Sequence, residues 1–368
     1  MAFIKKNFVM CIAFVLALVT CFIIPPDKSY IGYFDFKTLA CLFCTLACVC
    51  ALKNIKFFRI ISEKIVVYFK TARSAVIALI YITFIGSMLL ANDMALITFL
   101  PLGYYVLKST DNSEYMDFTF IMQNIAANLG GMLTPFGNPQ NLYLYSYYHI
   151  SNGEFLRIMF LPFLISIILI TACCFIIPNK PLFLVKETDV KLNGKRAVIY
   201  GILFVLSILL VFRIVPYYFG LVVIALSIFI LDKSALKKVD YPLLLTFVAF
   251  FVFAGNMARI PAVNSFLGEL INNNTLLYGV LSCQVISNVP SAVLLSKFTA
   301  NYPALLVAVN IGGAGTLIAS LASLITFREY IKRQPDKALS YLKKFTFYNV
   351  MFLAILYIVM SIVLQGRL

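Results

Sequence analysis

Ten of the fourteen residues from Asn128 to Asn141 are Asn, Gly, Thr, Pro or Gln, in the run NLGGMLTPFGNPQN, and strongly apolar segments flank it on both sides. A continuous membrane helix does not tolerate that density of helix breakers. Irregular backbone at membrane depth survives only where it is buried in protein or lines a cavity, because lipid satisfies neither N–H nor C=O. The run therefore predicts a helix that breaks in mid-membrane. A break creates new helix ends, with free N–H groups and partial positive charge at one and free carbonyls at the other. Converging ends can hold an anion on N–H groups and a cation on carbonyls, with Asn and Thr side chains completing each shell. Asn128, Gly131, Thr134, Gly137, Asn138 and Asn141 are the candidates from this run.

The pattern recurs. Asn128-Leu-Gly-Gly-Met-Leu-Thr134 matches Asn310-Ile-Gly-Gly-Ala-Gly-Thr316 at N-[LI]-G-G-x-x-T, which adds Asn310, Gly313, Gly315 and Thr316. Each copy follows an apolar segment interrupted by polar residues, Asn92-Asp93 in the first case and Ser287-Asn288 in the second. Those four residues complete the candidate set. Asp93 is the acidic residue expected deep in the membrane, where a carboxylate costs at least about 2.5 kcal/mol on insertion scales. It should be paired, protonated or bound to a cation, and a group so placed is a candidate to exchange a proton. For the asparagines and threonines the competing reading is that they cap the hairpin or break with their own side chains. Capping and ligand contact are compatible.

The elements that must position these residues follow from composition. Hydrophobic residues make up 62% of the 368 and charged residues 12%, and mean hydropathy is +0.95. A soluble domain carries about twice that charge, so the chain reads as an all-α polytopic membrane protein. Its net charge of +15 comes mostly from Lys and Arg in short connecting loops and the N-terminal tail. That is the positive-inside pattern, and nucleic acid is discounted as a partner. The nine cysteines lie mostly in apolar spans. Cys41, Cys44 and Cys48 share a helical face, which leaves a metal site open against plain packing. His149 is assigned no role.

Loop charge also decides sidedness. If residues 74–107 enter and leave on the cytoplasmic face as a hairpin, the later basic loops all fall inside. A full crossing would put them outside. The chain then divides into a first transmembrane repeat (1–178, with hairpin 74–107 and broken helix 115–147), a cytoplasmic linker (179–196) and a second repeat (197–368, with hairpin 275–298 and broken helix 302–327). The first hairpin enters from the cytoplasm and the second from outside. Two inverted-topology repeats with discontinuous helices in matching positions are the mark of a secondary transporter with a midplane site. About nine full spans are expected, with the N-terminus cytoplasmic and the C-terminus outside.

The polar-tipped hairpins (AND-x-AL…PL, then SNVPSAVLL) and the broken helices TPFGNPQN and NIGGAGTLI resemble the ion transporter superfamily. That group takes in arsenite permeases, NhaD-type sodium/proton antiporters, citrate transporters and divalent anion/sodium symporters. The resemblance covers nearly the whole chain. The dicarboxylate branch carries Ser-Asn-Thr at both tips, whereas this chain has Ala91-Asn92-Asp93 and Ser287-Asn288-Val289. These forms look more like the arsenite, NhaD-type and citrate side, in a short bacterial inner-membrane branch. The resemblance implies a homodimer in the bacterial inner (plasma) membrane.

The expected function is secondary active transport of a small organic or inorganic anion by alternating access, coupled to H+ or Na+. Arsenite-type efflux and Na+/H+ antiport stay open beside it. No cofactor is expected, and the one metal expectation is an Na+ site at the hairpin tips. A membrane subunit without transport activity and an intramembrane enzyme are the remote alternatives. The enzyme would need a Ser/His pair, paired aspartates or a His-rich metal site, and the sequence supplies none. Nor is there a Walker-type motif for ATP-driven transport.

Overall fold

The computed structural model describes residues 7–66, 68–181 and 192–365. Lys5, Lys6 and most of the 179–196 linker lie outside the described residues. The described chain is predominantly helical, and several of its helices begin where short polar side chains can hold the first free N–H groups. Asp35, Ser151, Asn193, Asp240, Asn274 and Asn301 each accept a bond from the backbone N–H three residues on. Thr71 and Ser74 form a capping box.

The first helices are α1 (Phe8–Ile23), α2 (Phe36–Asn54) and a short α3 (Phe57–Val66). Next come α4 (Ala72–Leu90) and α5 (Asn92–Ser109), joined by Ala91 alone. The broken helix follows as α6 (Met116–Gly130) and α7 (Pro139–Tyr147), and α8 (Asn152–Cys174) closes the first half. The second half holds α9 (Gly194–Val211), α10 (Tyr217–Leu231), the short α11 (Lys233–Lys237), α12 (Tyr241–Arg259) and α13 (Pro261–Asn273). It continues with α14 (Thr275–Ile286), α15 (Asn288–Leu295), α16 (Tyr302–Ile311), α17 (Leu321–Ile331) and α18 (Ala338–Gln365).

Six helical segments are long and apolar enough to cross a membrane, namely α2, α4, α8, α9, α12 and one that contains α18. Shorter apolar helices include α1, α10, α14 and α16. Apolar side chains such as Ile168, Ile202, Val222, Ile230 and Ile358 stand exposed along these helices, as a lipid-facing surface requires. The protein is an integral membrane protein.

Two bundles share the work of packing. In one, α2 lies against α9, α10 and α11, while α12 lies against α1. In the other, α4 and α5 pack on α6, and α14 and α15 pack on α16. Contacts of α12 with α15 and of α2 with α7 join the bundles. Cys41, Cys44 and Cys48 are buried in α2, and no group of three or more metal-ligating side chains occurs among the described residues.

Both α4–α5 and α14–α15 are tight antiparallel pairs. Ala91 turns the first at φ 61° and Ser287 turns the second at φ 76°, each in a region costly for a residue with a Cβ. Gln123 Nε2 bridges the first pair, donating to Thr83 Oγ1 on α4 (2.9 Å) and Phe99 O on α5 (3.3 Å). The hydroxyls of Ser282 and Ser291 (2.8 Å) bridge the second. Close approach comes from glycine, for a Cβ on Gly130 would stand 2.3 Å from Phe84 O of α4.

Charged residues gather at helix ends. Arg73 donates to Ile177 O (2.6 Å), Lys180 pairs with Glu114 and Lys344 with Asp117. Elsewhere Tyr302 donates to Glu154 (2.6 Å) and Arg259 clamps Asp27 (2.7 Å). In that exposed loop the Arg259 guanidinium draws the Asp27 carboxyl down to about 2.

Candidate functional site

The two helix breaks and the two hairpin turns meet. Asn128, near the end of α6, accepts through Oδ1 from Asn92 Nδ2 at the first turn (3.1 Å) and from Ser320 Oγ in the second break (2.8 Å). Asn310, near the end of α16, donates through Nδ2 to Asn141 Oδ1 in α7 (2.6 Å) and accepts from Asn138 Nδ2 in the first break (3.4 Å). Both asparagines also donate one turn back into their own helix, to Asn124 O and to Leu306 O. All are buried, so each bond replaces water that cannot reach the group.

Equivalent positions make equivalent bonds. Asn92 Oδ1 accepts from Asp93 N and Asn288 Oδ1 accepts from Val289 N, both at 2.9 Å. Thr134 Oγ1 donates to Met88 O (2.9 Å) and Thr316 Oγ1 to Gln284 O (3.2 Å), each carbonyl lying three residues before its turn. Ser287 and Asn288 both reach Ala319 O, one through Oγ (3.3 Å) and the other through its backbone N–H (2.9 Å). Gly313 lies between the halves, since a Cβ there would meet Asn288 Nδ2 at 3.1 Å and Asn128 Oδ1 at 3.6 Å.

The breaks are compact. A Cβ on Gly131 would stand 2.5 Å from Asn138 Oδ1, and one on Gly137 would stand 2.3 Å from Gly131 O. Asn141 Nδ2 spans the first break by donating to the carbonyls of Gly131, Met132 and Thr134 at 3.2 to 3.3 Å. Gly315 has φ +133°, a conformation open to glycine and strained for any other residue. Thus all fourteen candidates sit at the turns and breaks, and their only charged group is Asp93.

Asp93 opens α5. Its Oδ1 is shut from solvent and has no hydrogen-bond partner among the described residues, and the same holds for Asn138 Oδ1. A buried acceptor without a donor is costly. Both oxygens suit a bound cation or a donor on a ligand, and the Asp93 carboxylate also suits a proton.

Sequence reasoning passed over three contributors. Ser320 occupies the place in the second run that Asn138 holds in the first, a correspondence readable from the repeat. Gln284 fills the second break by donating to Gly312 O (2.8 Å) and accepting from Thr316 N (2.9 Å). No sequence signal marked it, because Met88 stands at the matching position. Asn124 extends the polar cluster toward Ser323 and Asn349 on α17 and α18 at 3.4 Å.

Comparison with known proteins agrees with this arrangement. The family model described as citrate transporter matches residues 1–307. The uncharacterized transporter MJ0456 of Methanocaldococcus jannaschii is 36% identical over 328 residues, covering 87% of this chain and 88% of that one. Inner membrane protein YbiR of Escherichia coli is 29% identical over 319 residues, covering 83% of each. A match that spans both hairpins, the first break and the start of the second broken helix makes this membrane protein a member of the citrate transporter family.

Proposed function

We propose that the chain is a secondary carrier for a small anion of the organic-acid class, coupled to H+ or Na+ and working by alternating access. The observation that carries this reading is the meeting of two broken helices and two hairpin turns through Asn92, Asn128, Asn138, Asn141, Asn310 and Asn288. Amide side chains and helix ends are the donors an anion needs, and Asp93 supplies the one ionisable group. The family match and the relative named as a transporter support transport as the activity. That carboxylate, the one among the candidate residues, also favours a second reading, Na+/H+ antiport.

The same reading makes 1–178 and 197–368 inverted repeats. In support, the first hairpin opens beside Ile177, just past the end of α8, while Tyr302, which starts the second broken helix four residues past the second hairpin, bonds Glu154 at the start of α8. That placement is what hairpins of opposite sense would give. Excluding α4 as a hairpin arm, the five remaining long segments, α1, α10 and the two broken helices give nine crossings. The N-terminus is then cytoplasmic, the linker lies on the same side, and the protein functions as a homodimer in a bacterial inner membrane. Hairpin and broken helix moving against the rest would expose the site to each side in turn.

A flux screen in proteoliposomes with citrate, succinate, arsenite and Na+/H+ gradients is the test. Uptake of a carboxylate dependent on an ion gradient is expected. Flux of none of these above protein-free vesicles would overturn the carrier reading, while proton-driven Na+ movement alone would select the antiport.

A further inference from the structure

Where a helix breaks at depth its last carbonyls turn toward the gap, and in carriers such carbonyls are what hold a coupling cation. Both breaks here present carbonyls of this kind, and in both a side-chain amide already occupies the gap. Asn141 Nδ2 faces Gly131 O, Met132 O and Thr134 O at 3.2 to 3.3 Å. Gln284 Nε2 faces Gly312 O at 2.8 Å, Val280 O at 3.2 Å and Ala314 O at 3.4 Å. An amide N–H2 offers two donors and no lone pair, so it presents the same sign to a carbonyl as a cation does.

The two plugs are not equivalent residues. Position 323, which matches Asn141, is Ser, and position 88, which matches Gln284, is Met. Each half reaches the same end by a different route, so the filled gap is not simply a repeated sequence feature. Gln284 is also fixed at its other end, where Oε1 accepts from Thr316 N at 2.9 Å. Gly315 makes room for it, as a Cβ there would stand 2.2 Å from Gln284 Oε1.

We propose that Gln284 is a specificity-determining residue whose amide takes the place of Na+ at the second break, as Asn141 does at the first, so that the broken-helix carbonyls bind no sodium. This deepens the carrier reading and rests on it for its bearing on transport, but the binding statement stands on its own. Gln284→Glu replaces the donor with a carboxylate that repels Gly312 O and Ala314 O unless a cation stands between them. Gln284→Ala leaves the carbonyls open.

The test is thermal melting of the purified full chain in lipid nanodiscs at pH 8, in NaCl, KCl or choline chloride of equal ionic strength. The native protein should melt alike in all three. Q284E should melt several degrees higher in about 100 mM NaCl than in KCl, because a ligand that binds only the folded state stabilises it. Q284A should shift the same way and carries the test if Q284E does not fold. A sodium-specific rise in the native protein overturns the assignment without any variant. So does its absence from whichever of the two variants fold. No substrate enters this measurement, so a failed flux screen would sink the carrier reading and leave this result standing.

Discussion

Asp93 and the asparagines around it are the residues on which transport should turn. Asp93, in the first turn of α5, has an unpartnered Oδ1, whereas Asn92 beside it is held by Asn128 at 3.1 Å. We therefore give the proposed coupling role to Asp93, whose oxygen is open to a proton or ion, rather than to Asn92, which is already held. Asp93→Asn keeps the shape and removes the charge change. In vesicles it should lower flux at least tenfold, about 1.4 kcal/mol in transition-state terms, and flatten its pH dependence between pH 5 and 8. Native flux with native pH dependence in D93N would end the coupling role.

At the scale of the element, the breaks depend on local backbone that only certain residues permit. The second break needs Gly315 at φ +133° with the Gln284 amide pressed against it. Gly315→Ala should cost roughly 1–3 kcal/mol in backbone strain and displace that amide as well. It should lower the melting temperature by several degrees, while Gly201→Ala, on an open face of α9 with nothing within 4 Å, should not. Equal melting of the two variants would mean that the break adapts and the amide is not held. Much of this element was legible beforehand. The helix ends at Ala91 and Ser287 fall beside or within the polar pairs that interrupt the apolar segments, because breakers in an apolar run have few places to go. Gln284 was not legible, for a lone Gln in an apolar helix carries no local signal of the loop it will fill.

For the whole molecule, Arg73–Ile177 ties the first hairpin to one end of α8, and Tyr302–Glu154 ties the start of the second broken helix, just past the second hairpin, to the other. Single cysteines at the exposed positions Ser113 and Asn301 should then react with an impermeant maleimide from opposite sides of the membrane. Labelling of both from the same side would defeat the inverted topology. The background is favourable, since six of the nine native cysteines are buried.

The sequence by itself determined the solvent, the family resemblance and the positions of the two interruptions, because hydropathy, charged loops and helix breakers act over a few residues and need no partner. Only the tertiary structure decided which atoms meet: Asn128 with Ser320, Asn310 with Asn141 and Asn138, Gln284 with the carbonyls of the second break. Those contacts join residues up to 192 positions apart at 2.6 to 3.4 Å. Bonds that short depend on the rotation and depth at which whole helices cross, and packing of the full chain fixes both.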